Sequence, residues 1–528
     1  MTSGSTASAP GLAREPGRRP SVWAPHAATV DVVVLGPGGA AERRPMRLLG
    51  AHRPGWWGAD DELAPGTDYG FSVDGGPVLA DPAGAWQPHG VLGPSRVLDP
   101  AFAWSDAGWE PPPLESGVLL HVDVPTFTPA GTLDAAAAHL PAVAATGVQG
   151  VELAPLAAHD PAAGPAAGVR LGAVHEPYGG PRALQRFVDA AHAAGLAVVL
   201  GLPHRWAVQP ALGLERFGPY AAGGTTGSAG PAGPPARINL AGTGSRGPRE
   251  LLLADAVRWF AAFHVDGLVL DVEALTDGGG PPFLSELAER VAAASVELGR
   301  RLVLMVDGPG RSDRLTSAVA RALAAGRAGA PVDAGDLRLL ARTVTPLTRL
   351  PLVGDRAARR AFPATPRAAS LVVGDLTRLP GAARAVPWPA TAPAVADDED
   401  ERASLLAFAV LAGTPLVLDG DHLPVRDAGA PGLVAWCATL LALRPGIAAQ
   451  MALPVDVRVH GTALVVRRGD AALVLATREP SAAVPLRTVL ADAPAAWRLA
   501  AAWSPATRLE DGVLTLPGRC AAVLRAAA

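Results

Sequence analysis

The sequence predicts an α/β protein: a (β/α)8 TIM barrel carrying an N-terminal β-sandwich and a C-terminal β-sandwich. Three observations predict it. From about Glu115, short apolar runs alternate with Ala-rich helical stretches. On either side of that region the text is β-like and broken by Gly/Pro turns. Acidic residues (Asp123, Asp271, Asp307, Asp375 and Asp419) stand at or near the ends of the apolar runs, where such barrels carry their active sites.

Length and composition set the frame. At roughly 150 residues per domain, 528 residues suit three or four domains, or one large barrel with satellites. Hydrophobic residues make up 49% and charged residues 18%, enough apolar surface for a core and too little charge for general disorder. The formal net charge of −4 argues against a dedicated nucleic-acid binder, which needs a basic face. The basic residues are all arginine, with no lysine. Two cysteines, Cys437 and Cys520, make no disulfide framework and suit a reducing, cytoplasmic setting. The N-terminal text lacks the apolar core of a signal peptide. Gly413 and Pro415 break the longest apolar stretch, so no membrane span is expected.

In order along the chain, residues 1–20 are polar, rich in Pro and Arg, and read as a disordered tail. Residues 21–110 hold the short β-like runs VDVVVLG, RPMRLL and DYGFSVDG, which point to a small immunoglobulin-like β-sandwich. Trp56 and Trp57 could offer a sugar platform there, but packing under a loop is the simpler expectation. Residues 111–450 form the expected barrel. Its strands are expected at 118–124, 148–153, 196–202, 266–271, 302–307, 370–375 and 414–420, with an indistinct one near Asp336–Leu340. Near-continuous apolar strands separated by helices imply a parallel sheet covered on both faces. The low-complexity string at 221–236 reads as a flexible insertion on the functional face, and Pro387–Asp400 as a solvated loop. Residues 451–528 return to β-like text and read as the C-terminal sandwich.

Several strings carry a family resemblance. They are SVWAPHAATVDVVV, PGTDYGFSVDGG, LADPAGAWQPHGVLGPSRVLD, TFTPAGTLDAA, GVQGVELAPLAA, AVHEPYGGPRALQRFVDAAHAAGLAVVL, RFGPY, FHVDGLVLD and ELGRRLVL. In this order they resemble the malto-oligosyltrehalose trehalohydrolases, within the α-amylase clan of glycoside hydrolases. The resemblance implies retaining hydrolysis of the α-1,4 bond next to a terminal trehalose, with one carboxylate as nucleophile and another as proton donor. It places Asp271 as nucleophile, Asp307 as general acid/base and Asp375 as the third carboxylate, which grips the sugar. No substrate-binding residue, metal ligand or cofactor is assigned. The implied partners are malto-oligosyltrehalose or another α-1,4-glucan and the trehalose-forming synthase, with no nucleic acid or membrane.

The sequence departs from the family pattern at that site. Val269 stands where the family has an Arg two residues before its nucleophile, and Asp307 stands where it has a Glu. Gly374 replaces the His before the third carboxylate. Gly201, Arg205 and Trp206 occupy the Asp-x-x-x-Asn-His positions after the third strand, and Asp123 replaces a first-strand His. A Trp-Gly-Tyr motif that supplies a stacking Tyr is replaced by AAGVRLGAVHEPY. Because fold and reaction are separable, the alternative expectation is a pseudo-glycosidase that holds an α-glucan or a pathway partner without chemistry. A changed reaction, such as glucan branching or transglycosylation, is a third. His204 and Arg205 could bind a glucan or a phosphate, with a surface salt bridge the simpler reading. Cys437 reads as core, and His121 and His175 lack metal-ligand spacing.

Overall fold

The computed structural model describes residues 19–307 except 37, 39, 100, 113, 115–117, 224–235, 272–273 and 276–282. It also describes 349–351, 400, 403–404, 407, 416–418, 431–448, 455–460, 463–476, 481–490, 496–518 and 520–527. The expected strands near 336–340 and 370–375 lie outside these residues, as do Asp375 and Asp419.

Residues 21–96 form two antiparallel sheets. One has three strands, in the order Ser21–Trp23, Trp56–Gly58, Arg47–Leu48. The other runs Ala41–Pro45, Val30–Leu35, Asp68–Val73, Val78–Leu79, with Ser95–Arg96 also paired to Asp68–Val73. Trp56 and Trp57 stand in a strand, and Trp56 packs under the loop that carries Arg53, as expected. Trp56 pairs with Trp23 and is buried beneath the Arg53 guanidinium. The Trp57 indole N–H donates to the Ala24 carbonyl.

The central sheet is built from β1 (Val118–Val122), β2 (Gly150–Leu153), β3 (Ala197–Leu202), β4 (Gly267–Leu270) and β5 (Val303–Asp307), each parallel to the next. The strand Leu416–Leu418 lies parallel on the outer side of β1. A last chain strand lying parallel against the first is the neighbour relation a closed (β/α)8 sheet requires. The far side of β5 pairs with Arg349–Pro351, which runs antiparallel and was not expected from the sequence. Among the described residues the sheet has seven strands in an open order and does not show the closed cylinder expected from the sequence.

Side-chain parity explains why these strands are nearly all apolar. Leu119, Ala197, Val199, Val269, Val303 and Met305 gather in one cluster on one face. Leu120, Val198, Leu200, Leu268 and Leu304 face the other way and join the large core formed with the helices. Both faces are covered, so the period-2 polar positions of a half-solvated strand disappear. Gly150 is required by the closeness of β2 and β3, since a Cβ there would fall against the Ala197 carbonyl oxygen.

The covering helices follow from local signals. In Gly180–Ala193, Pro181 sits in the first turn, and Ala183, Leu184, Phe187, Val188 and Ala191 form a helical-period buried stripe. Arg246–Phe263 ends at His264, a non-glycine residue with φ 54°, whose backbone N–H reaches the Trp259 carbonyl. That strained end is held from outside: His264 Nδ1 lies 2.8 Å from Asp106 Oδ2, and its ring stacks on Trp104 at 3.8 Å. The first expected strand stops two residues early, because Asp123 precedes a helical turn, Val124–Phe127, with Pro125 at its start.

Residues 99 and 101–109 run along the helix Gly180–Ala193 toward the end of the sheet where the strands begin. Asp99 pairs with Arg182, and the Ser105 hydroxyl donates to Asp189. The Trp109 indole donates to the fully buried Asp266, which also accepts from the Val198 amide and Arg300 and lies 3.0 Å from His192 Nε2. Residues 455–526 form a five-stranded and a three-stranded antiparallel sheet. Cys437 and Cys520 are both free and buried, and burial pushes the Cys437 thiol up to about 12.

Candidate active site

The strand ends opposite the Trp109 plug carry the candidate site. β4 stops at Leu270, so Asp271 is the first residue beyond it, and Asp307 is the last residue of β5. The last β4–β5 pair is Leu270 with Val306, so Asp271 and Asp307 follow as backbone neighbours on adjacent strands. Neighbouring strands lie about 4.8 Å apart. Two of the three sequence-assigned positions therefore come side by side, and the third, Asp375, lies outside the described residues.

Among the described residues, the Asp271 carboxylate is gripped by Arg205. Arg205 Nε donates to its Oδ2 at 2.5 Å and Arg205 Nη2 to its Oδ1 at 2.8 Å, a two-pronged grip on both oxygens. The Asp271 side chain is 11% exposed and that of Arg205 36%, so the pair lies at the rim. Arg205 sits in the single 3-10 turn His204–Trp206 that follows β3. His204 is buried beside it, and among the described residues its Nδ1 has no hydrogen-bond partner. Burial pushes the His204 imidazole down to about 4, against the opposing pull of the Asp271 charge. Trp206 packs half-buried on the main core, and the Gln209 amide donates to the Arg205 carbonyl at 3.3 Å. The reading of Arg205 as a salt-bridge residue is thus correct, but its partner is the candidate nucleophile itself.

A second group lines the rim beyond β1 and β2. The rings of His159 and His175 stack at 3.9 Å, and Tyr178 meets His175 edge-on at 4.7 Å. His175 Nδ1 accepts from the His159 backbone N–H at 3.4 Å. Burial, with the nearby His159, pushes His175 down to about 4. The Tyr178 phenol is pushed up, first by burial and then by the charge of Asp123. Asp123 accepts from the Thr126 hydroxyl at 2.7 Å. Glu176, in the same turn, accepts from the Trp86 indole at 2.8 Å, tying the WQPHG segment to the rim. On the paired residues of β1 and β2, His121 Nδ1 lies 3.4 Å from the buried Glu152. The sequence marked His121 and His175 only as lacking metal spacing. The short His-Glu-Pro-Tyr string was the signal available for the His175–Tyr178 group. Among the described residues, no group of three or more His, Cys, Asp or Glu side chains could hold a metal ion.

A carboxylate gripped at both oxygens at a strand end, beside a second acidic position, is suited to attack on an electrophilic carbon. Comparison with known proteins bears on which. No protein-family model matches the chain. In sequence the chain resembles curated malto-oligosyltrehalose trehalohydrolases. It is 42% identical over 296 residues to the one from Arthrobacter ramosus, covering 55% of this chain and 50% of that protein. It is 39% identical over 306 residues to the one from Rhizobium sp. (strain M-11), covering 56% and 49%. The Mycobacterium tuberculosis protein of that name is 36% identical over 301 residues, covering 56% and 50%. The chain spans about half the length of the curated relatives it matches.

In structure the fold is that of α-amylase-type enzymes. A Salmonella typhimurium protein provisionally assigned as an α-amylase aligns at TM-score 0.63 and 21% identity, covering 96% of this chain and 97% of that one. Pullulanase from Paenibacillus barengoltzii aligns at TM-score 0.62 and 14% identity, covering 97% and 93%. Pullulanase from Anoxybacillus sp. LM18-11, solved with maltotetraose, aligns at TM-score 0.60 and 12% identity, covering 96% and 86%.

Proposed function

We propose that this protein is a cytoplasmic glycoside hydrolase of α-glucans that cuts the α-1,4 bond next to the terminal trehalose of malto-oligosyltrehalose and releases trehalose. The observation that carries the reading is the 36–42% identity to three proteins bearing that enzyme's name. The gripped carboxylate of Asp271 at the β4 end agrees with it. In this reading Asp271 attacks the anomeric carbon, and Asp307 gives a proton to the leaving glycosidic oxygen. Water, deprotonated by Asp307, then hydrolyses the glycosyl ester. Asp375 holds the sugar hydroxyls, and the trehalose-forming synthase is the partner that supplies the substrate. The reading without chemistry rests on the substitutions at the site alone.

The test is trehalose release from malto-oligosyltrehalose by the wild-type chain and by Asp271→Asn. Loss of the nucleophile should lower kcat by roughly 10⁴-fold or more. Equal rates for the two proteins would remove Asp271 from the reaction.

A further inference from the structure

We propose that Arg205 is a positioning residue for glycosyl transfer: it holds the Asp271 carboxylate in the plane from which it attacks. The inference rests on Asp271 as nucleophile, as read above. Its physical basis is the contact itself. A guanidinium fork binding both oxygens fixes the carboxylate's plane as well as its place, which a single hydrogen bond or a point charge does not do. Each oxygen keeps a second lone pair, so the grip leaves one free for attack.

The two residues come from different strand ends. Arg205 follows β3 and Asp271 follows β4, so the ion pair also joins two adjacent loops of the rim. Arg205 stands in its 3-10 turn between the buried His204 and the half-buried Trp206 in the chain. Below Asp271 on β4, Val269 belongs to the apolar inner cluster and offers no hydrogen bond. A carboxylate held at both oxygens by one guanidinium should lose rate when that arginine is removed, because misplacement by about 1 Å can cost on the order of 100-fold.

The probe is a maltosyl fluoride carrying a second fluorine at C5 of the reacting ring, which slows turnover and lets the glycosyl ester accumulate. The bond from Asp271 oxygen to the anomeric carbon forms as the carbon–fluorine bond breaks. Fluoride leaves with the electron pair and needs no proton, so the measurement is independent of Asp307. Labelling of Asp271 is followed by intact mass and peptide mapping in wild type, Arg205→Ala and Arg205→Lys, with thermal midpoints as a check on folding.

The expected result is labelling about 100-fold slower in Arg205→Ala. Millimolar guanidinium should restore at least about tenfold of that loss, and Arg205→Lys should fall between the two. Labelling of Arg205→Ala at the wild-type rate or faster would overturn the proposal, as would a loss that neither guanidinium nor lysine recovers. If Arg205→Ala does not fold, the lysine variant decides: unchanged labelling overturns the proposal, slowed labelling supports it. A wild type that is never labelled at Asp271 removes the proposal together with its nucleophile. A wild type that is labelled but releases no trehalose removes only the assigned substrate and leaves the positioning role standing.

Discussion

At the residue scale, Asp307 tests the proposed chemistry most directly. If it is the general acid, its side chain is one methylene shorter than the Glu expected at that place. Asp307→Glu should then raise kcat on malto-oligosyltrehalose by about 10- to 100-fold with little change in KM, read from steady-state kinetics. An unchanged or lower kcat would take the acid role from this position. His204 tests the electrostatics. Burial holds its folded-state value at about 4, below the ordinary 6.5. The unfolded chain therefore binds the proton more readily, so the stability contribution is complete above pH 6.5 and is lost as the pH falls toward 4. At pH 4.5 the His204 contribution to this loss is on the order of 2–3 kcal/mol. Urea unfolding at pH 7 and pH 4.5 measures it, and His204→Asn should shrink the difference between the two.

At the element scale, the β2–β3 contact sets a limit on the sheet. Gly150→Ala would press a methyl group against the Ala197 carbonyl at the start of a parallel pair. We expect a loss of about 2–3 kcal/mol in urea unfolding, with the m-value retained. The strands themselves were largely legible. Of the expected barrel strands, five match β1 to β5 to within two residues at each end, and the run at 414–420 contains the strand Leu416–Leu418. They could be read because a strand covered on both faces is a short, nearly unbroken apolar run bounded by turn residues. Arg349–Pro351 could not be read, since three residues carry no period. The helix end at His264 was equally hidden: its left-handed conformation is held by Asp106 and Trp104, more than 150 residues away.

At the scale of the whole molecule, the segment that precedes the central sheet packs into its core. The Trp109 ring stacks on His192 at 4.5 Å and packs against the inner apolar cluster, while its indole N–H reaches Asp266. Asp106 lies between His192 and His264. Burial raises its carboxyl, yet the hydrogen bonds from His264 and His192 hold it below the usual carboxylate value. Trp109→Ala should lower stability by about 3–4 kcal/mol in urea unfolding, and Trp109→Phe, which keeps the packing, by about 1–2 kcal/mol. Equal effects of the two would assign the stabilisation to the indole N–H alone. On the opposite side, beyond the strand ends, Arg170 donates to the carbonyls of Val91 and Leu212, joining the turn at Val91 to the loop after β3. Among the described residues, no helix is long and apolar enough to cross a membrane.

Local pattern alone determined the alternation of strands and helices, the β-rich flanks, and the placing of Asp271 and Asp307 at strand ends, because these depend on residues close together in the chain. Only the tertiary structure decided what surrounds them. The partner of Asp271 is 66 positions away, on the loop of the neighbouring strand. Its identity depends on which loops a parallel sheet brings together at one rim, and no local period encodes that. The sequence shows Val269 where a cation is expected and Arg205 where it is not; the folded chain brings that guanidinium onto the carboxylate. Packing sets which side chains meet, and the ion pair exists because β3 and β4 are adjacent and in register.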